Sequence, residues 1–293
     1  MNKRKPIESL RAKYVDDLSL GKSINLRENL VMNPDPCITR PVTFRERFNQ
    51  ILVTNPLQRE LQELSQYNKE HQMKENTSKT KVMLFNTARD YDFMPKLTFQ
   101  NEGQTEDYLE VVDTFKLLGV MIRSDMKWCD NIDFICKKGY TKLWILRRLK
   151  ILDFSKEELW DVFTKQIRPV LEYAVPVWHP GITQKESNQI ERVQKCALHV
   201  ILGDDYHSYG NALEVLDCET LEARREQICE KFVRKSVKHS KYKNWFSFHY
   251  RNYGIETRSS QLKSLKPVTC RTERYKRSPL PYLTALWNQK VGK

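Results

Sequence analysis

Apolar residues recur along this chain with two different periods, and the change from one to the other divides it. Near the start, Tyr14-Val15 and the alternating Leu18-Ser19-Leu20 flank two acids in K-Y-V-D-D-L-S-L (residues 13–20), which predicts a strand, a tight turn and a returning strand. Residues 21–56 hold four prolines and little periodicity, the pattern of a long connecting loop. Leu57, Leu61, Leu64 and Tyr67 then recur at helical spacing with charges between them, predicting an amphipathic helix that ends near Asn76. K-T-K-V-M-L-F-N (79–86) reads as a short buried strand, and a further strand is expected around Leu109–Val112. The apolar run F-K-L-L-G-V-M-I (115–122) carries an interior Gly119, which marks either a bulge or a close backbone approach.

Beyond about residue 130 the period becomes helical throughout. Ile132, Ile135, Cys136, Tyr140, Leu143, Leu146 and Leu149 form one apolar stripe, and Lys137, Lys138, Lys142, Arg147, Arg148 and Lys150 make the same helix strongly basic. Ser155 with Glu158 and Thr183 with Glu186 are capping-box pairs that open two more helices, the second closing at Gly203. Pro169 lies inside the first of these and predicts a kink. A last helix is expected from Leu221 to Val237 on Leu221, Ile228, Phe232 and Val237. The expected fold class is therefore α+β, with a small β-rich module at 1–128, an all-helical module at 129–240 and a basic, aromatic-rich tail at 241–293.

Composition narrows the setting. A chain of 293 residues with 40% hydrophobic positions can bury a sizeable core. No apolar run is long enough to span a bilayer, and Met1-Asn2-Lys3-Arg4-Lys5 leads into no apolar block, so the expectation is an intracellular protein, cytoplasmic or nuclear, with no membrane partner. Seven scattered cysteines without a C-x-x-C pair argue against a disulfide framework or a zinc site, and Cys136, Cys196 and Cys229 fall on helix core positions.

Charge is unevenly placed. From Lys231 to Lys293 there are 16 Lys or Arg against 2 acids, out of 50 and 37 in the whole chain, so the first 230 residues are nearly neutral. The same segment holds ten aromatics. Cations interleaved with rings suit a phosphate backbone with stackable bases, and equally a surface that packs its rings inward and keeps its lysines in water. Asp16 and Asp17 have two readings as well: a polar turn, or a carboxylate pair of the kind Mg²⁺ takes as ligands.

Taken in order, Y-V-D-D, the amphipathic helix, N-T-S-K-T-K-V-M-L-F-N, F-K-L-L-G-V-M-I, K-K-G-Y-T-K-L-W-I-L-R-R-L-K, I-R-P-V-L-E-Y-A-V-P-V-W-H-P, I-E-R-V-Q-K-C-A-L and the closing S-P-L-P-Y-L-T-A-L-W-N resemble the second half of the reverse transcriptases of non-LTR, LINE-type or jockey-like retrotransposons. The resemblance implies a partial polymerase palm followed by a thumb-like helical module. It makes Asp16 and Asp17 the paired catalytic aspartates that bind Mg²⁺ and Tyr14 the residue lining the primer terminus. Lys79 becomes a lysine near the departing pyrophosphate, and Leu118-Gly119 part of the strand pair that grips the primer. The partners it implies are an RNA template and a DNA primer, with the basic helix of Lys137 to Lys150 along the duplex. Those enzymes use a third aspartate well upstream, whereas only thirteen residues precede Tyr14 here. The expectation is a chain inactive on its own, with a non-enzymatic nucleic-acid-binding or inert retroelement remnant as the alternative.

Overall fold

The computed structural model describes residues 10–13, 18–21, 56–73, 76–85, 97–100, 106–242, 244–248 and 264–291. These mix helices with small two-stranded sheets, an α+β arrangement, in two compact units, Met1–Asp113 and Thr114–Lys293.

In the first unit, β1 (Leu10–Lys13) and β2 (Leu18–Gly21) pair antiparallel with Lys13 opposite Leu18. The amphipathic segment forms α1 (Pro56–Glu70), of which Leu61 is buried against Val82, Leu97 and Leu109. β3 (Lys81–Val82) is shorter than the eight-residue run suggested, and it pairs parallel with β6 (Glu110–Val111), the counterpart of the strand expected near Leu109. Between them β4 (Thr98–Gln100) and β5 (Glu106–Tyr108) form an antiparallel pair. The Gln58 carboxamide donates to the Thr98 carbonyl at 2.8 Å and accepts from its N–H at 3.0 Å, standing in for a neighbouring strand at that edge.

The second unit opens with a hairpin of β7 (Thr114–Leu117) and β8 (Val120–Arg123), with Phe115 opposite Ile122 and Leu117 opposite Val120. Gly119 is therefore not a bulge. Leu118 and Gly119, with φ of 48° and 86°, are the two central residues of the turn, as a type I′ hairpin requires.

The helices carry the core. α2 (Cys129–Ile151) buries Ile132, Ile135, Cys136, Leu143 and Leu146. A Cβ at Gly139 would meet Leu171 Cδ2 and Val193 Cγ1 at 3.0 Å, so this glycine is what lets the neighbouring helices approach. Ser155 and Thr183 cap α3 (Lys156–Val162) and α6 (Gln184–Leu202) with both reciprocal bonds of the capping box in place. α6 closes at Gly203, φ 60°. Pro169 lacks an N–H and crowds the preceding turn; the chain accommodates it by widening to π-type turns over Phe163–Ile167 before α4 (Arg168–Glu172) begins. α5 (Val175–Trp178) follows after Ala174, which takes a left-handed conformation at φ 53°. α7 (Tyr209–Val215) and α8 (Leu221–Lys238) complete the bundle around Phe163, Leu171, Trp178, Ile190 and Leu198, all fully buried.

The described part of the tail is built into this core. α9 (Glu273–Lys276) and α10 (Pro279–Val291) follow residue 264, and Phe246, Leu265 and Leu283 are buried, with Tyr242, Phe248, Tyr282 and Trp287 packed around them. Asn288 on α10 donates to the Leu265 carbonyl at 2.9 Å and accepts from its N–H at 2.8 Å. Of the described aromatics of this segment, Tyr242, Phe246, Phe248, Tyr282 and Trp287 thus serve packing, while Trp245 and Tyr275 stay exposed.

Among the described residues, one charge lies inside. α8 buries Leu221, Arg225, Cys229 and Val233, and Arg225 is 0% exposed. Its Nη2 donates to Ser187 Oγ at 2.6 Å and its Nε to His179 Nδ1 at 3.3 Å, while Nη1 meets no acceptor among the described residues. Burial, together with the Arg225 charge, pushes the His179 pKa down to about 4. The neutral imidazole is what allows it to accept from a guanidinium.

Candidate nucleic-acid interface

The second unit places the turn Leu118-Gly119 and the basic helix on one framework. The hairpin lies along the first turns of α2: Thr114 Oγ1 and Arg123 Nη1 both donate to Asp130 at 3.0 Å, and the Met121 N–H donates to Asn131 Oδ1 at 3.1 Å. Arg123 also binds Asp125, and that bond holds the Asp125 carboxyl down at about 2. Burial opposes ionisation of Asp130, yet hydrogen bonds from Cys129, Arg123 and Thr114 outweigh it and keep this group below the usual carboxylate range. Both acids at the base of the hairpin are therefore committed to Arg123.

The tip is fixed from a different helix. Trp178, fully buried, donates its indole N–H to the Tyr173 carbonyl at 2.8 Å across the left-handed Ala174, and the Tyr173 hydroxyl then donates to the Leu118 carbonyl at 2.9 Å. Tyr173 Cε1 stands 3.3 Å from where a Cβ on Gly119 would be. A segment singled out for its resemblance, I-R-P-V-L-E-Y-A-V-P-V-W, is thus physically joined to the other, F-K-L-L-G-V-M-I.

On α2 the basic residues do not behave alike. Lys137, Thr141, Trp144 and Arg148 follow at helical spacing on the outward face, opposite Ile135, Leu143 and Leu146. Lys138 and Arg147 flank that face, whereas Lys142 is half-buried on the side of Ile135 and Leu149. Lys150 turns the other way and donates to the Ile201 carbonyl at 3.3 Å, satisfying the end of α6, so it has a structural partner. Lys138 lies 4.3 Å and Lys116 5.2 Å from the centre of the Phe134 ring. Among the described residues, no ion pair involves Lys137, Lys138, Lys142, Arg147 or Arg148, whereas Arg123, Lys156, Arg224, Arg234 and Lys290 all have carboxylate partners.

Two rings on this helix escaped the sequence reading. Tyr140, expected on the apolar stripe, falls at its edge and is 40% exposed; Trp144 is 61% exposed, with the Arg148 guanidinium 5.6 Å from its ring centre. The signal was present in K-K-G-Y-T-K-L-W, since Trp144 comes seven residues after Lys137 and so shares its face.

Lys79 belongs to the first unit. It is exposed in a turn organised by Asn76, whose side-chain oxygen accepts from the Lys79 N–H at 3.1 Å and the Ser78 hydroxyl at 2.7 Å. Tyr14, Asp16 and Asp17 lie outside the described residues.

No family model, curated protein or solved structure matches this chain. No helix among the described residues is long and apolar enough to cross a membrane.

Proposed function

We propose that the chain is the carboxyl-terminal half of a reverse transcriptase of the non-LTR retrotransposon type, and that its helical unit holds nucleic acid along α2. The carrying observation is the outward face of that helix, where four exposed cations, Lys137, Lys138, Arg147 and Arg148, have no carboxylate partners among the described residues and stand beside exposed rings, with the half-buried Lys142 to one side. Unpaired surface cations on a rigid helix attract phosphates without reading sequence, which suits an enzyme that copies any template. The pinned hairpin tip supports the same reading, because gripping a primer end requires a turn held in place.

Asp16 and Asp17 would hold Mg²⁺ in this proposal. Two adjacent carboxylates supply the hard oxygen ligands that this ion prefers. Bound there, the ion would neutralise charge developing on the transferred phosphoryl group. Lys79, solvent-exposed and without an ion pair among the described residues, would bring a positive charge toward the departing pyrophosphate.

Binding is tested by fluorescence anisotropy on an RNA–DNA hybrid. With about five phosphates engaged, affinity should fall roughly a hundredfold or more between about 50 and 200 mM salt. The quintuple variant K137Q/K138Q/K142Q/R147Q/R148Q should lose most of that slope. Salt-insensitive binding, or an unchanged slope in the variant, overturns the reading. The metal site is tested separately: Mn²⁺ should broaden NMR signals of residues near Asp16 in the native chain and not in D16N/D17N.

A further inference from the structure

We infer that the carboxyl-terminal half of α2 is a stacking site for an unpaired nucleotide, centred on Trp144. The inference rests on the nucleic-acid reading above and names the form of nucleic acid that the face takes. The outward surface of the helix changes character along its length. Its first half offers Lys137 and Lys138; its second half offers Trp144, Ile145 and Arg148, followed by Ile151 and Leu152, which are 76% and 69% exposed.

A duplex shows a protein phosphates and sugars on its outside and hides its base faces in the stack. Cations alone would suffice to hold it. An exposed indole and three exposed aliphatic side chains gain nothing from a phosphate backbone, and leaving them in water is unfavourable. An unpaired strand supplies what this half lacks, because each of its bases presents an apolar π-face next to a phosphate. Charge complementarity selects this occupant over an uncharged apolar one, since the exposed Arg147 and Arg148 border the patch without carboxylate partners among the described residues.

The local geometry fits. Arg148 lies one turn beyond Trp144 and its guanidinium carbon stands 5.6 Å from the ring centre, yet the indole stays 61% exposed. The cation therefore leaves ring surface open for a base. A base against the indole leaves its phosphate within the field of Arg148 and Arg147. Because every base has a π-face, such a site tolerates any sequence.

The test uses the full chain and two labelled probes at one salt concentration, an oligo(dT) of about 12 nucleotides and a blunt duplex of about the same length. W144A should weaken oligo(dT) binding roughly tenfold and duplex binding less than about twofold, and W144F should recover most of the loss. An oligonucleotide of abasic sites should bind weakly and be indifferent to W144A. Since Trp144 is on the surface, W144A should unfold at the native temperature. Equal effects of W144A on strand and duplex, or no effect on either, overturn the stacking site. If salt-dependent duplex binding persists in that case, the proposed function stands without it; if neither probe binds, both fall.

Discussion

The Tyr173 hydroxyl donates a hydrogen bond to the Leu118 carbonyl at 2.9 Å, joining a helix end to a hairpin turn fifty-five residues earlier. Gly119 beside it has φ of 86° and room for no more than a slightly displaced Cβ. Both features point to a turn that cannot be altered freely. G119A should lower stability by about 1–2 kcal/mol, from the left-handed backbone and the close ring together. Y173F should cost about 0.5–1 kcal/mol, as the bond is neutral and solvent-accessible. Urea denaturation checks both. A G119A protein as stable as the native one would mean that the turn is not type I′.

His179 gives the helical unit an acid sensitivity. Its pKa in the folded chain is pushed down to about 4 from the ordinary 6.5, first by burial and then by Arg225. Between those values the unfolded chain binds the proton and the folded chain does not, so stability falls as pH drops through this window. Above the upper value the group contributes no pH dependence. The loss should reach at most about 3 kcal/mol, less whatever solvent screens at the half-buried ring. H179Q keeps an acceptor for Arg225 and removes the titration. Its stability profile should be flatter over that window; parallel native and variant profiles would exclude this residue as the cause.

Arg225 is a buried charge held by neutral partners, and such charges contribute little net stability while punishing any loss of a partner. S187A removes the acceptor of the 2.6 Å bond and should destabilise by about 1–3 kcal/mol. R225M removes the charge while keeping the volume, and should be neutral or more stable than the native chain. If R225M proves the more damaging of the two, the guanidinium is stabilising in a way its observed partners do not explain.

Legibility followed locality. Ser155–Glu158 and Thr183–Glu186 were readable because a capping box is complete within four residues, and Pro169 because its ring and missing N–H act on the adjacent turn. The local pattern does not show the Leu118-Gly119 turn, since L-L-G-V offers none of the polar residues that usually announce a hairpin, and the strand pair there is expected only from the resemblance. Arg225 was overlooked because a charge is expected on the surface, although the register of Leu221, Cys229 and Val233 placed it inward. The Tyr173–Leu118 bond joins distant segments, and no local pattern encodes it. Of the residues proposed for chemistry, Lys79, Leu118 and Gly119 are described, and the aspartate pair is not.

The final segment allows a decision between the two readings of its composition. Among its residues, Leu265 is nearly inaccessible, and both its N–H and its carbonyl are satisfied by the one Asn288 side chain at 2.8 and 2.9 Å. N288L would leave a buried donor and a buried acceptor unpaired, at a cost of about 2 kcal/mol or more. N288D keeps the acceptor for the Leu265 N–H and loses the donor, so it should fall between. L283A, which empties a 2% exposed core position on the same helix, should cost about 2–5 kcal/mol. If the segment were only a solvated basic tail, all three variants would unfold at the native denaturant midpoint. A docked segment also changes how its charge must be tested, because deleting residues 264–291 opens the core along with removing cations. Substituting exposed basic residues such as Lys266, Arg271 and Arg274 with Gln separates the two effects: the salt slope of nucleic-acid binding should decrease while the unfolding midpoint holds.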